Sequence, residues 1–525
     1  MKRFVATALA IALALALPPP NALGADTARG VVYADRDGDG RRGADEPGLP
    51  GVRVSNGREI VLTDGDGHWE LPVRGDCVLF IVKPRDWAPP YDERNLPRFH
   101  YVHSPAGSPD LRHAGVAPTG PLPDSVDFPL HRRQEPDRFR VVLFGDTQPR
   151  DQREIDYLAH DIVEEVAGVR AAFGVTLGDI MFDDLSLFDS LNAVVARVGI
   201  PWINVLGNHD LNYDAVDDAG ADETFTRVYG PPYYSFDHGA VHFVVLDDVH
   251  WQGRVEGEDA YAGGNYTGGL GGDQLAFLER DLALCPPEQL VVLFMHIPLT
   301  APWIEADRDA LFRLLEARPA CLSVSAHYHV MAHVFLDAGD GWRGAEPHHH
   351  FINATTCGSW WSGAPDELGI PHTTMRDGAP NGWTLATFGA GGYRMAFKAA
   401  RRPADHQMSI FAPEAVSRAA ADTTEVLANV FAGSERSRVE LRLAGGEWRP
   451  MERVEREDPY FLAMKALEEG DTPPPGLRLP RASKSPHLWR ALLPADPPAG
   501  TWEIEVRETD VFGQIHRGRR LIRVE

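Results

Sequence analysis

Five short apolar runs constrain this chain more than any other feature: FRVVLF, AAFGVTL, PWINVL, QLVVLFM and CLSVSA, each stopping at a Gly or a polar residue. Runs this short, rich in Val, Leu and Ile, read as strands buried in a parallel sheet. Helical periodicity lies between them. Residues Asp151 to Val166 carry Ile155, Leu158, Ile162 and Val166 on one face, with Asp151 placed as N-cap. Gly272 to Leu284 and Glu305 to Leu315 repeat the pattern. The fold class is therefore α/β. After the five runs come GDTQ ending at Gln148, GDIMFD from Gly178, GNHD from Gly207, MHIP around His296 and AHYH from Ala326. Ligands of open α/β sheets sit beyond the carboxyl ends of the strands. Five such ends gather oxygen and imidazole donors, the composition of a metal site.

A pair of cations needs one bridging carboxylate, further ligands for each ion, and an open side. Asp179 suits the bridge. Asp146 and Gln148 alternate on one extended segment and can point the same way, as can His327 and His329. Asn208 offers a neutral amide oxygen, and His296 ends the strand before the last pair. His209 stands beside a ligand without being one, which leaves it free as a proton donor.

In this order the motifs resemble the calcineurin-like metallophosphoesterase family across roughly residues 138–345. The resemblance implies a four-layer αββα sandwich. It places one metal on Asp146, Gln148, Asp179 and His329, and the second on Asp179, Asn208, His296 and His327. It makes His209 the residue that protonates the leaving oxygen or holds the phosphoryl group. The chemistry implied is hydrolysis of phosphomonoesters or phosphodiesters by water activated between two ions. A nucleotide pyrophosphohydrolase or diesterase is the alternative, and a cell-envelope binding protein with a relic site is the non-enzymatic one. Two positions depart from the family pattern. Gln148 stands where His is usual, which should favour Mn²⁺, Mg²⁺ or Fe over Zn²⁺. Ala326 stands where Gly is usual, beside His327.

The flanks read as β. Residues 26–133 are short strands separated by Gly, Asp and Pro, a small sandwich. Residues 346–525 form a C-terminal β-rich domain with one helix near Pro459 to Glu469. FHYVHSPAGSP and TTCGSWWSGAP resemble the terminal domains of exported bacterial metallophosphoesterases. Residues 1–25 have the basic start and short apolar core of a signal peptide, so the mature protein is expected to be periplasmic or secreted, with no further membrane span. A net charge of −25 argues against a stable nucleic-acid partner. Asp35, Asp37, Asp39 and Glu46 follow the oxygen spacing of a calcium loop. Cys285 and Cys321 either pair, which export permits, or remain buried thiols. Trp360 and Trp361 are expected in the core rather than in a pocket wall, and His348 to His350 are expected to be structural.

Overall fold

A computed structural model describes residues 26–254, 264–371, 374–389 and 392–525; the expected signal segment, 1–25, lies outside the described residues. The five apolar runs form strands Phe139–Phe144, Phe173–Leu177, Trp202–Val205, Leu290–Phe294 and Cys321–Ser325. They divide between two sheets. The first has five strands in the order 202–205, 173–177, 139–144, 382–389, 392–399; the first three are parallel and the last two antiparallel. The second has six, in the order 234–238, 241–245, 290–294, 321–325, 348–352, 332–336, parallel through its centre.

Side-chain alternation assigns each face its partner. Val141 and Leu143, with Val175, Leu177, Ile203 and Val205, share a core with Phe243, Val292, Phe294 and Val324 of the second sheet. Val142 and Phe144 point the other way, against Ile155, Leu158, Ile162, Val166, Leu191 and Val195. The expected helix from Asp151 begins as read, with the Asp151 carboxylate accepting from Glu154 N. Such a cap contributes about 1 kcal/mol. The helix widens into a π turn at Ala159–Val163 before ending at Val166. Helices Gly271–Ala283 and Glu305–Glu316 contribute Phe277, Leu278, Leu311, Phe312 and Leu315 to the core of the second sheet.

The strand pairing runs across the expected boundary at residue 345. Strand His348–Ile352 inserts into the second sheet, and Gly382–Gly389 pairs directly with Phe139–Phe144. Before residue 133, two four-stranded sheets pack together and onto the central core, with Phe80 against Phe277. Arg53 ties them down through Asp237 at 2.6 Å and Asp281 at 2.8 Å, with His242 hydrogen bonded to both carboxylates. From Met408 onward, a four-stranded and a five-stranded sheet enclose Val426, Ala428, Leu441, Ile504, Val506 and Ile522. The helix near the C-terminus spans Pro459–Glu468 and is capped by Asp458. Among the described residues, no helix is long and apolar enough to cross a membrane.

Candidate metal centre

All five motifs stand on loops at the carboxyl ends of the central strands, and two of their glycines are there because nothing larger fits. A Cβ at Gly178 would lie 2.4 Å from His296 Nδ1, and one at Gly207 would lie 1.9 Å from Asp179 N. The loops are so tight that Asp146, Gln148, Asp179, His327 and His329 all take left-handed φ, between +33° and +70°. Non-glycine residues there are strained by about 1–3 kcal/mol each and persist where surrounding contacts enforce the conformation. Ala326 is fully buried and is not among the residues with positive φ, so its methyl replaces the usual Gly without backbone strain.

The side chains converge. His296 Nδ1 donates to Leu177 O at 2.9 Å, which turns Nε2 inward. Around that Nε2 lie Asn208 Oδ1 at 3.0 Å, His327 Nδ1 at 3.1 Å and Asp179 Oδ1 at 3.2 Å. One proton on His296 cannot satisfy three neighbours, whereas a cation among them satisfies all four. On the other side of Asp179, Gln148 Nε2 meets its Oδ2 at 2.9 Å, and His329 Nε2 lies 3.8 Å from Asp146 Oδ1. His329 Nδ1 donates to Gly358 O at 2.6 Å, and burial keeps the ring neutral, so its Nε2 is unprotonated. Asp146 Oδ1 is buried with no hydrogen-bond partner. The donor set, an orphaned carboxylate oxygen and imidazoles turned by carbonyls, fits divalent cations.

The electrostatics fit too. Burial, with Asp179 beside it, pushes the Asp146 carboxyl up to about 8. Burial acts the same way on Asp179, but the charges of His296 and His209 outweigh it and hold that carboxyl low. Burial pulls His327 and His329 down to about 3, leaving them neutral, as metal binding requires. His209 Nδ1 lies 2.6 Å from Asp183 Oδ1, and its ring stacks on Phe182. Its burial lowers the imidazole pKa, and the nearby Asp179 and Asp183 reverse that and raise it.

The two ends of the chain match known families. Residues 36–113 match the N terminal of calcineurin-like phosphoesterase, and residues 350–516 match the C terminal of calcineurin-like phosphoesterase. Both ends of the chain therefore match termini of calcineurin-like phosphoesterases. No curated protein sequence matches it. A solved structure, a purple acid phosphatase from yellow lupin (Lupinus luteus) seeds, is 12% identical over 67% of each chain, with a TM-score of 0.36.

Sequence reading passed over several residues on which this centre depends. Asp183 holds His209; it closes the GDIMFD motif, so its signal was present. Asp210, fully buried, accepts from Ile180 N, Met181 N and Gly207 N. Asp248 accepts from His296 N and Ile297 N. Asp377 reaches in from the C-terminal side to accept from Met331 N. The tryptophan pair divides. Trp361 is buried, as expected, and donates to Thr147 O at 2.9 Å, whereas Trp360 is half-buried and stacks on His329 at 3.9 Å. Trp360 therefore walls the site, contrary to the reading of both as core. Arg150 links it further, donating to Trp360 O while lying over Phe182.

The remaining candidates are placed elsewhere. In the loop 35–46, ligand atoms of Asp35, Asp37 and Asp39 lie within 4.8 Å of one another. Asp35 accepts from Gly38 N and Gly40 N, and Glu46 from Arg36 N and Gly43 N. None of the four cysteines is in a disulfide. Cys285 sits beside Arg53, and Cys321 faces His348 at 3.2 Å, so they look to different partners. His348 and His350 are buried against Ser323 and Ser325, and His349 against Tyr393.

Proposed function

We propose that the chain is a dinuclear phosphoesterase acting on phosphomonoesters or phosphodiesters, built as an αββα sandwich with a β domain on each side. The observation that carries this reading is the convergence of Asp179, Asn208 and His327 on His296 Nε2 within 3.0–3.2 Å. Asp146, Gln148, Asp179 and His329 hold one cation; Asp179, Asn208, His296 and His327 hold the other. Divalent cations there supply polarisation of the phosphoryl oxygens and a lowered pKa for attacking water. The chain's own residues do the rest. Asp183 fixes the His209 ring through Nδ1, so that Nε2 carries the proton to the leaving oxygen. Trp360 screens His329 from bulk water. Gln148 turns its amide nitrogen to Asp179 in this structure, and a half-turn of the amide presents oxygen to a hard cation such as Mn²⁺ or Mg²⁺.

The N-terminal loop is a calcium site by its oxygen spacing, and the leader-like segment 1–25 supports export to the periplasm or beyond. The deciding experiment measures metal content and turnover of aryl phosphate mono- and diesters for wild type and Asp179→Asn. Loss of the shared carboxylate should strip metal and abolish turnover. Activity retained within about tenfold would refute the assignment.

A further inference from the structure

At the opposite end of the first central sheet from the metal centre lies a cleft of about 1030 Å³ lined by arginines. We propose that this cleft binds a small, multiply charged oxyanion, a molecule bearing two or three phosphate or carboxylate groups, and that it is separate from the catalytic centre. The strand register makes the case. Thr387 pairs with Arg140 on one side and Arg394 on the other, so the three side chains stand in one row on one sheet face. Two strand spacings set the two arginines roughly 10 Å apart. Arg138 and Arg170 line the same cleft.

Nothing within the described residues neutralises this row. Arginines elsewhere such as Arg53, Arg401 and Arg442 are ion-paired, whereas Arg138, Arg140, Arg170 and Arg394 enter no salt bridge among the described residues. Glu135 is the one carboxylate in the lining, and it is taken: Oε1 by Lys83 Nζ at 2.6 Å, Oε2 by Asp86 N and Gly239 N. On a chain of net charge −25, such a concentration of positive charge is a local inversion. His238 also lines the cleft, with Nδ1 3.2 Å from Glu135 Oε1 and its ring against Phe139. Guanidinium forks match phosphate and carboxylate oxygens two at a time. The volume suits a small molecule. Arg140 opens the strand whose far end leads to Asp146, six residues or roughly 20 Å away. One bound phosphoester therefore does not reach both places.

The test is isothermal titration of full-length Asp179→Asn protein, which removes turnover of the probe, with inorganic tripolyphosphate and with citrate as separate arms. One-to-one binding of either is expected, weakened about tenfold or more by Arg140→Gln with Arg394→Gln and by 0.5 M salt, on the order expected when screened charge contacts are removed. Binding of tripolyphosphate alone identifies phosphate as the source of the oxyanion; binding of both identifies oxyanion charge as the whole requirement. Arg138→Gln with Arg170→Gln repeats the test outside the sheet, should the row variants melt early. In otherwise wild-type protein, the same substitutions should leave aryl phosphate turnover unchanged. Absence of binding in both arms, or binding indifferent to all four arginines, overturns the proposal.

Discussion

Asp210→Ala removes a side chain that ties the Asp179 loop to the Asn208 loop through three backbone amides. Its Oδ2 accepts from Ile180 N at 3.0 Å and Gly207 N at 2.9 Å, and its Oδ1 from Met181 N at 3.0 Å, all buried. A buried donor left without a partner costs about 1–3 kcal/mol, so three give about 3–9 kcal/mol before relaxation. Water entering the space vacated by the carboxylate brings the effect toward the lower end, about 3 kcal/mol. That corresponds to roughly 10²-fold faster hydrogen exchange at those three amides, since 1.4 kcal/mol is a factor of ten. Metal affinity should fall with it, because Asp179 adjoins Ile180 and Asn208 adjoins Gly207. The assay is site-resolved exchange by mass spectrometry together with metal analysis, with the amide of Asp340, at a distant turn, as internal control. Asp210→Asn, which keeps one acceptor oxygen, should fall between wild type and Ala. Unchanged exchange at Ile180, Met181 and Gly207 in the Ala variant would refute the argument that Asp210 holds both loops.

His209→Ala should keep both metals yet slow turnover by roughly 10²–10⁴, and Asp183→Asn should reproduce part of that loss; a fall in metal content with His209→Ala would make it a ligand instead. Gln148→His should move the metal ranking toward Zn²⁺ when ions are added back singly after chelation, and an identical ranking would remove Gln148 from the first site. Burial lowers His333 and His348 to about 4 and His350 to about 3, so above the unfolded pKa of about 6.5 both states are neutral and stability is complete. Below that, the unfolded chain takes up protons that the folded one refuses, and stability falls by up to about 1.4 kcal/mol per pH unit per histidine down to about pH 4. The melting temperature should therefore drop between pH 6.5 and 4.5, less steeply in His348→Asn; parallel curves would show that His348 is not held neutral. Calcium should raise the melting temperature of wild type but not of Asp37→Ala with Glu46→Ala, and equal shifts would remove calcium from that loop.

The candidate site was legible because its donors stand at the ends of strands, and strand ends are marked in a sequence by apolar runs that stop. Asp151 was legible for a similar reason: an N-cap and the helix it starts are neighbours. What stayed hidden depends on distant residues. Nothing local in GWTLATFG says that it lies beside FRVVLF, some 240 residues earlier, rather than in the C-terminal β domain. Asp210, Asp248 and Asp377 look like ordinary loop acids until their backbone partners are known. Trp360 and Trp361 are indistinguishable by composition, and only left-handed φ at both turns one ring onto His329 and the other into the core.

Those left-handed residues also bear on whether the centre still works. Glycine or asparagine would adopt the same φ at Asp146, Gln148, His327 and His329 with less backbone strain. A lineage that had stopped using the centre would meet such replacements as improvements, and nothing would resist them. A chain that keeps carboxylate, amide and imidazole at its most strained positions is carrying a burden that drift alone would have relieved.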